Sequence, residues 1–342
     1  MNAYDAPTLA DKLRALRDPA AYSPAVAGVD LIETHFAAVA LAGEFAYKLK
    51  KPVQVERMDF RNLAAREHSC REEVRLNKRL APQVYLDVVP LCLESNGTLR
   101  VSGTGHTVEW LVKMRRLPAE SMLDRAIASG TLMKRGMQAA ALWLAQFFRD
   151  QPPTIVSGAD YLARLYARVD DAREQLLARD LELDPAPIET AYERQQRFLA
   201  AHGALVRHRA TAGRIVEGHG DLRPEHVCLG SASPPFAPCV IDCLEFDRDL
   251  RIFDPIEELA FLSLECERMR ATWVGKEFIK TYRAITQDRF TPQLFAFYRT
   301  QRALTRAKIA AWHLRDDEVR DLSDWRTLAH GYLYDALAAK FT

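Results

Sequence analysis

Residues 216–229 read Val-Glu-Gly-His-Gly-Asp-Leu-Arg-Pro-Glu-His-Val-Cys-Leu, and residues 239–246 read Cys-Val-Ile-Asp-Cys-Leu-Glu-Phe. Each stretch contains a short β-type run, and a proline-rich turn separates the two runs, which predicts an antiparallel hairpin with a long loop. Residues just outside the two strands are neighbours at the open end of such a hairpin, so His226 should lie next to Asp242. Asp221 precedes them on the loop that enters the same end. Carboxylates gathered in this way repel one another, and a bound divalent cation is the usual compensation.

The spacing of these residues is similar to that of a known catalytic core. The tetrapeptide His219-Gly-Asp-Leu222 is followed by a polar residue five positions after Asp221 and by an Ile-Asp dipeptide after the hairpin. This pattern resembles the aminoglycoside phosphotransferase branch of the protein-kinase-like fold, in particular a poorly characterised bacterial group. The resemblance implies that Asp221 receives the proton of the attacking hydroxyl, and that position 226 and Asp242 bind metal ions.

The chain departs from that family at one metal position. His226 stands where the family has Asn. Mg²⁺ prefers oxygen ligands, so an imidazole would lower the affinity for Mg²⁺ or favour Mn²⁺. The alternatives are that His226 hydrogen-bonds Asp221 or Asp242, that Asp242 alone holds one metal ion, or that activity is lost.

Composition limits the class of protein. The 342 residues suffice for a sizeable core and for two lobes, and 48% hydrophobic with 27% charged residues is typical of a soluble globular protein. A formal net charge of +1 supplies no global field for nucleic acid or for an anionic membrane. Because no apolar run is long enough to span a bilayer and no signal-peptide core is present, we expect a cytoplasmic protein.

The six cysteines carry a weaker signal. They are scattered without CxxC pairs, at positions 70, 92, 228, 239, 243 and 266. Cys239 and Cys243 are the closest pair and leave a metal site or a redox switch open, but buried free thiols in a reducing compartment are the favoured interpretation.

The N-terminal part has the pattern of a short helix followed by a sheet. Residues 8–18 have helical apolar spacing, and short β-type runs follow at 29–33, 37–41 and 45–49. The last run contains Ala-Tyr-Lys48, which is similar to the kinase strand whose lysine pairs with the nucleotide phosphates, and this implies that role for Lys48. Alternation places Lys48 and Lys50 on one face, and a solvated sheet edge is the alternative.

A helix predicted over residues 66–80 should supply the partner of this lysine. In the family, a glutamate on this helix fixes the lysine ammonium against the phosphates. The spacing favours Glu73 and leaves Glu72 open, and an ion pair within the helix is the alternative role for either. Kinases also cover the phosphates with a glycine-rich loop between the first two strands. In this chain the corresponding turn, residues 33–38, contains no glycine. Thr34 and His35 are the candidates for phosphate contacts there, and a structural turn histidine is an equal alternative for His35.

Further strands lead into the junction between the lobes. Strands are predicted at 84–93 and 99–102, joined by an Asn-Gly turn, and at 108–114. The last strand resembles the strand and hinge that hold the adenine, which implies a nucleotide contact for Met114. We therefore expect an α+β, two-lobed protein-kinase-like fold: a small β-rich N-lobe over 1–117 for nucleotide binding and a large helical C-lobe over 118–342 for catalysis and substrate binding.

The C-terminal part is predicted to be almost wholly helical. Helical periodicity covers 122–129, 133–149, 159–181 and 188–209. After the quoted stretches, Asp254 precedes Pro255 and should cap a helix that begins there. The family has an acidic residue on this helix that braces the catalytic loop, and the resemblance gives that structural role to Glu258.

The resemblance implies transfer of the ATP γ-phosphoryl group to a hydroxyl of a small molecule, with Mg²⁺ or Mn²⁺ as cofactor. Family members act on aminoglycosides, choline, sugars and amino-acid derivatives, and the fold does not choose among them. Glu245, Asp247 and Asp249 form either an acidic pocket for a cationic acceptor or a solvated loop. Two other classes stay open: a pseudokinase-like nucleotide-binding regulatory module, and a metal-dependent hydrolase, which would leave Lys48 unexplained.

Overall fold

The computed structural model describes residues 6–55, 58–232, 235–315 and 322–339. It has the predicted α+β fold class, with a β-rich N-terminal part and a helical C-terminal part. The helices of the described residues are α1 Leu9–Arg17, α2 Leu63–Asn77, α3 Leu123–Ala128, α4 Lys134–Asp150, α5 Gly158–Leu176, α6 Pro185–Thr211, α7 Pro255–Arg268, α8 Thr272–Thr286, α9 Pro292–Trp312 and α10 Leu322–Ala338. The strands are β1 Val29–Glu33, β2 Ala37–Ala42, β3 Phe45–Lys50, β4 Gln54–Val55, β5 Met58–Asp59, β6 Tyr85–Leu93, β7 Leu99–Val101, β8 His106–Arg115, β9 Val216–Glu217, β10 Val227–Cys228, β11 Ser231–Ala232, β12 Pro235–Phe236, β13 Cys239–Val240 and β14 Ile252–Phe253.

The described chain divides into two compact units. The first comprises Met1–Ala126 and His226–Leu250, and the second comprises Ile127–Glu225 and Arg251–Thr342. The quoted hairpin thus groups with the N-terminal sheet rather than with the helices that flank it in sequence. The lobe boundary near residue 117 stays a proposal.

An antiparallel sheet with the order β1-β2-β3-β8-β6-β7 dominates the first unit. Gly43 forms the β2–β3 turn with a positive φ of 60°, a conformation that costs glycine little. The register pairs Lys48 with Val39 on β2 and with Val112 on β8, so the lysine lies on a central strand. Strand pairing on both sides therefore holds the backbone of Lys48 in place.

Strand alternation divides the side chains of β3 between the two faces of the sheet. Tyr47 and Leu49 pack in one apolar cluster with residues of α1, whereas Ala46 packs in another with residues of α2. Lys48 therefore shares the α2 face with Ala46, as the period of two predicts. Helix α2 begins at an Asn62 cap, whose side chain accepts a hydrogen bond from the Ala65 N–H at 2.7 Å.

The second unit is built from helices α4–α10 and the short β9–β14 ladder. Helix α7 begins as predicted: the Asp254 carboxylate accepts a hydrogen bond from the Ile256 N–H at 3.1 Å, and Pro255 is the first helical residue. This helix is buried along most of its length, and β14 leads directly into it. Register pairs Phe253 with Val216 and Ile252 with Glu217, so β14 also fixes the strand that precedes the loop of Asp221.

All six cysteines are buried free thiols, as predicted. Cys228 and Cys239 are directly opposite each other on β10 and β13, a pairing that the sequence spacing did not indicate. Within the described ranges, no helix combines the length and the apolar composition needed to cross a membrane.

Candidate active site

The hairpin in the first unit brings His226 and Asp242 together. Strands β10 and β13 pair Val227 with Val240, and the Ile241 N–H donates to the His226 carbonyl at 2.9 Å. At this open end, His226 Nε2 lies 3.8 Å from Asp242 Oδ2. The hairpin geometry predicted this proximity of His226 and Asp242.

Asp242 has a strained backbone that two side chains hold in place. Its φ of 64° lies in the left-handed region, which is unfavourable for a residue with a Cβ. The Asp242 N–H donates to the Tyr85 hydroxyl at 3.0 Å, and the Cys243 N–H donates to Asn77 Oδ1 at 2.9 Å. These contacts fix the turn, while the Asp242 side chain remains 46% exposed. No local pattern indicated Tyr85 or Asn77, because both are distant from the turn along the chain.

Lys48 connects Asp242 to the interior of the unit. Lys48 Nζ lies 2.6 Å from Asp242 Oδ1 and 3.0 Å from Glu73 Oε1. Of the two glutamates left open by the sequence, Glu73 is buried against the lysine, whereas Glu72 bonds Arg75 on the exposed side of α2. Burial alone would lower the pKa of Lys48, but the nearby Asp242 and Glu73 carboxylates outweigh it and raise that pKa well above its ordinary value.

Lys50, two residues further on, contacts the same glutamate. Lys50 Nζ lies 2.5 Å from Glu73 Oε2 and 2.5 Å from Glu245 Oε1, and the Ser69 hydroxyl donates to Glu245 at 3.0 Å. Burial opposes ionisation of Glu245, but the Lys50 and Lys48 charges outweigh it and lower the pKa of this carboxyl. Glu245 is thus a buried ion-pair partner rather than part of an exposed acidic pocket.

The remaining predicted nucleotide contacts lie on β-elements of the same unit. In the turn without glycine, the Thr34 hydroxyl accepts a hydrogen bond from the Ala37 N–H at 3.1 Å, so this side chain already stabilises its own turn. The His35 ring packs edge-on against Phe36 at 4.6 Å. Met114 on β8 is paired with Ala46 on β3 and is buried. Their contacts with a nucleotide stay predictions.

Asp221 belongs to the second unit, on a loop whose backbone is held by Glu258. The Glu258 carboxylate accepts hydrogen bonds from the His219 N–H at 3.0 Å and from the Gly220 N–H at 2.7 Å. The Asp221 N–H donates to His219 Nδ1 at 3.2 Å, and Arg223 Nε donates to Asp221 Oδ2 at 3.0 Å. Glu258 thus contacts the loop as the bracing role requires.

Two further residues complete this loop, and sequence reasoning missed both. Arg302 on α9 donates through Nη1 to the Gly220 carbonyl at 3.0 Å. A Cβ at position 218 would lie 2.5 Å from the Glu258 carboxylate and 2.7 Å from the Phe253 ring, so only glycine fits there. The absence of a side chain at Gly218 therefore lets Glu258 and Phe253 pack directly against the start of the loop.

Replacement of Glu258 by Gln should flatten the pH dependence of stability. Burial raises the pKa of Glu258 to about 7, against the donors of His219 and Gly220 and the Arg302 charge, which lower it. Because this folded-state pKa lies above that of an unfolded glutamate, the stabilisation is complete below pH ~4.5 and is lost as the pH rises through about 7. Urea titrations measure the free energy of unfolding of both proteins at each pH. As the pH rises across this window, the wild type should lose about 3 kcal/mol more than Glu258→Gln loses.

A matched control separates this effect from the rest of the titration. Glu193→Gln changes an exposed glutamate on α6 and should leave the pH profile of the wild type unchanged. An equally steep profile in Glu258→Gln and the wild type would contradict the assignment of this carboxyl.

A nucleotide-bound cation fits the first unit better than an all-protein metal cage. Among the residues that the structure describes, no group of three or more His, Cys, Asp or Glu side chains is arranged to hold a metal ion. Mg²⁺, however, usually binds through one or two carboxylates together with substrate phosphates. The half-exposed Asp242 carboxylate suits that donor set, whereas the His226 imidazole 3.8 Å away offers a nitrogen ligand, which Mn²⁺ accepts more readily.

The sequence is similar to three curated bacterial proteins. No family model matches it. Uncharacterised proteins from Mycobacterium tuberculosis strains CDC 1551 and H37Rv and from Mycobacterium bovis are 31% identical to it over 283 residues, which is 82% of this chain and 54% of each relative. The chain therefore spans about half the length of the curated relatives it matches.

Solved structures share the fold over nearly the whole chain. A choline/ethanolamine kinase family protein from Mesorhizobium loti superimposes with a TM-score of 0.58 at 16% identity, covering 98% of this chain and 96% of the other. The GDP complex of aminoglycoside 2'-phosphotransferase-IIIa gives 0.52 at 17% identity, covering 92% and 93%. An aminoglycoside phosphotransferase (3'')-Id from Streptomyces rimosus gives 0.52 at 18% identity, covering 87% and 98%, and is also described with ADP and streptomycin. The predicted resemblance is confirmed for the fold.

Proposed function

We propose that this chain, which has the fold of the aminoglycoside phosphotransferases and choline/ethanolamine kinases, transfers the γ-phosphoryl group of ATP to a hydroxyl of a small molecule. The observation that carries the proposal is the double contact of Lys48 Nζ, with Glu73 at 3.0 Å and with Asp242 at 2.6 Å. It combines an oriented cation for phosphate with a half-exposed carboxylate for the metal ion of a nucleotide.

In the first unit, the proposed roles are nucleotide and metal binding. Lys48, oriented by Glu73, offsets the negative charge of the α- and β-phosphates. Asp242 and His226 hold Mg²⁺, or Mn²⁺, which supplies charge neutralisation on the phosphates when it is bound. Met114 contacts the nucleotide base.

The turn before β2 and the catalytic loop supply the remaining proposed roles. Thr34 and His35 approach the phosphates through backbone and side-chain donors. Asp221, on the loop braced by Glu258, orients the acceptor hydroxyl and takes its proton as the oxygen attacks phosphorus. The Arg223 contact at 3.0 Å fixes one oxygen of the Asp221 carboxylate.

The proposed acceptor is a small molecule, not a nucleic acid or a membrane. Streptomycin accompanies ADP in one neighbour, which supports a small-molecule acceptor without choosing it. The burial of Glu245 removes one of the three acidic residues considered for a cationic acceptor, and Asp249 remains exposed. A cytoplasmic location belongs to the proposal, because all six cysteines are free thiols.

Two neighbouring glutamates provide the test of nucleotide binding. Glu73→Gln removes the charge that Lys48 and Lys50 share, and the affinity for MgATP should fall ~10- to 100-fold, as for loss of a charge-assisted hydrogen bond. Glu72→Gln alters the exposed pair with Arg75 and should retain wild-type affinity. Isothermal titration calorimetry, with melting curves to confirm folding, measures both, and equal affinities in the two variants would overturn the role of Glu73.

A second candidate function is a nucleotide-binding regulatory module without phosphoryl transfer. Two observations favour it: His226 stands at a metal position, and the Thr34 hydroxyl is hydrogen-bonded within its own turn.

The rate of ADP release distinguishes the two functions. A working kinase releases ADP from ATP in Mg²⁺ or Mn²⁺, faster when its acceptor class is present among aminoglycosides, amino sugars and choline-like alcohols. Binding of ATP with no ADP release under any of these conditions would favour the regulatory module.

A further inference from the structure

Five charged side chains form a continuous row in the first unit. In order they are Asp242, Lys48, Glu73, Lys50 and Glu245, and each contacts the next at 2.6, 3.0, 2.5 and 2.5 Å. The charges alternate in sign along the row. The proposed function uses the first three members and assigns nothing to Lys50 and Glu245.

Lys50 is the more enclosed of the two lysines in the row, and the Glu245 side chain is almost as enclosed. The Lys50 side chain is 4% exposed and that of Glu245 is 9% exposed, against 46% for Asp242. Removing two charges from water costs several kcal/mol, and well-packed apolar residues of similar volume often give equal or greater stability than a buried ion pair. A buried pair of this kind is therefore a poor device for stability alone, and a positional role accounts better for its presence.

The geometry shows what the pair holds. Glu73 directs one oxygen to Lys48 and the other to Lys50, so the carboxylate cannot rotate away from Lys48 without breaking both contacts. Glu245 is the third residue after Asp242, and its contacts with Lys50 and with the Ser69 hydroxyl anchor the segment that follows Asp242 to β3 and α2. One ion pair thus restrains both neighbours of the Lys48 ammonium.

We propose that Lys50 and Glu245 are positioning residues of the nucleotide site, which hold Glu73 and the segment after Asp242 so that Lys48 and Asp242 face the phosphates and their divalent cation in one fixed arrangement. This inference rests on the proposed function, because it assumes that Lys48 and Asp242 bind a metal nucleotide. Lys50 itself does not touch the nucleotide.

The double variant Lys50→Met/Glu245→Gln isolates the positional role. It removes one positive and one negative charge, so the net charge of the row is unchanged and both contacts of Lys48 remain. Methionine retains the apolar stem of Lys50 but not its ammonium, which lies 5.5 Å from the centroid of the Phe60 ring, and the glutamine still accepts the Ser69 hydrogen bond. Lys50→Met alone would instead leave two buried carboxylates with a single lysine, and it is expected to fold poorly.

The test measures the affinity for ATP by calorimetry in Mg²⁺ and in EDTA, together with the melting temperature. The double variant should melt near the melting temperature of the wild type. Its gain in ATP affinity on addition of Mg²⁺ should be at least ~10-fold smaller than that of the wild type. Lys50→Arg keeps the charge and the donors, and its gain should stay within ~3-fold of the wild-type gain. Lys51→Met is the matched control, because the adjacent lysine pairs with Glu33 on another part of the sheet, and it should behave as wild type.

Each other outcome has a defined meaning. A double variant with a lowered melting temperature and the full effect of Mg²⁺ on affinity would overturn the positional role and leave the pair purely structural. If the double variant does not fold, Glu245→Gln alone replaces it, and an unchanged effect of Mg²⁺ there would overturn the inference. A wild type that binds no ATP in either condition would overturn the proposed function, and this inference with it.

Discussion

Asp221→Asn should lower the rate of phosphoryl transfer by about 10²- to 10⁴-fold while leaving the affinity for MgATP unchanged. The amide retains the size of the carboxylate and its contact with Arg223, but it cannot take the proton of the acceptor hydroxyl. The loop itself should not move, because its N–H groups are bound by Glu258 and its Gly220 carbonyl by Arg302. The measurement is the rate of ADP release, with affinity determined separately by calorimetry.

The control for this prediction lies in the same unit. Asp150→Asn changes an exposed aspartate that pairs with Arg149 at the surface, and it should retain wild-type turnover. Full turnover by Asp221→Asn would show that Asp221 is not the base, and a parallel loss of affinity would show that the variant had altered the site itself.

Arg209→Met should lower the free energy of unfolding by about 3–5 kcal/mol, a large effect for a single substitution. Arg209 is buried and bonds Asp254 through Nε at 2.7 Å and Asp288 through Nη1 at 2.6 Å. Burial alone would lower the pKa of Arg209, but these carboxylates raise it. Without the arginine, two carboxylates remain buried together, and one of them caps α7, the helix that carries Glu258.

Arg207→Met is the matched control, since this arginine lies two residues away on the exposed side of α6. Urea unfolding of the two variants should differ by several kcal/mol in the free energy of unfolding. Equal stabilities would contradict the view that the Arg209 cluster supports α7, the helix that carries Glu258.

The strands of the first unit were the most predictable part of the fold. Their apolar residues alternate over short runs bounded by turn residues, and β1 occupies the predicted residues 29–33. The hairpin also followed from its sequence, because strand pairing alone determines that His226 and Asp242 are neighbours. Local rules sufficed wherever the interacting residues were close along the chain.

The helical periodicity of α2 already distinguishes Glu73 from Glu72, although the choice between them was left open from the sequence. Cys70, Glu73 and Asn77 recur at helical spacing and are all buried, whereas Glu72 and Arg75 share the other side of α2. A glutamate on the buried side of a helix needs a cationic partner, and Lys48 lies on the strand face that this helix covers.

The contacts between distant segments were beyond sequence reasoning. Lys50 and Glu245 are separated by 195 positions, and each is an ordinary charged residue in its own surroundings. The same holds for the Tyr85 hydroxyl that accepts the Asp242 N–H. Such pairs depend on which elements meet in the folded chain, and a single sequence carries no record of that.

The most direct test of the metal-nucleotide site is the affinity of the wild type and of Asp242→Asn for ATP, measured by calorimetry in Mg²⁺ and in EDTA. Mg²⁺ should strengthen binding to the wild type, and Asp242→Asn should lose at least ~10-fold of that gain, because the neutral amide is a weaker ligand for the cation than the half-exposed carboxylate. ATP binding that is equally strong in both proteins and indifferent to Mg²⁺, or no binding by the wild type at all, would contradict the assignment of Lys48 and Asp242 as a metal-nucleotide site.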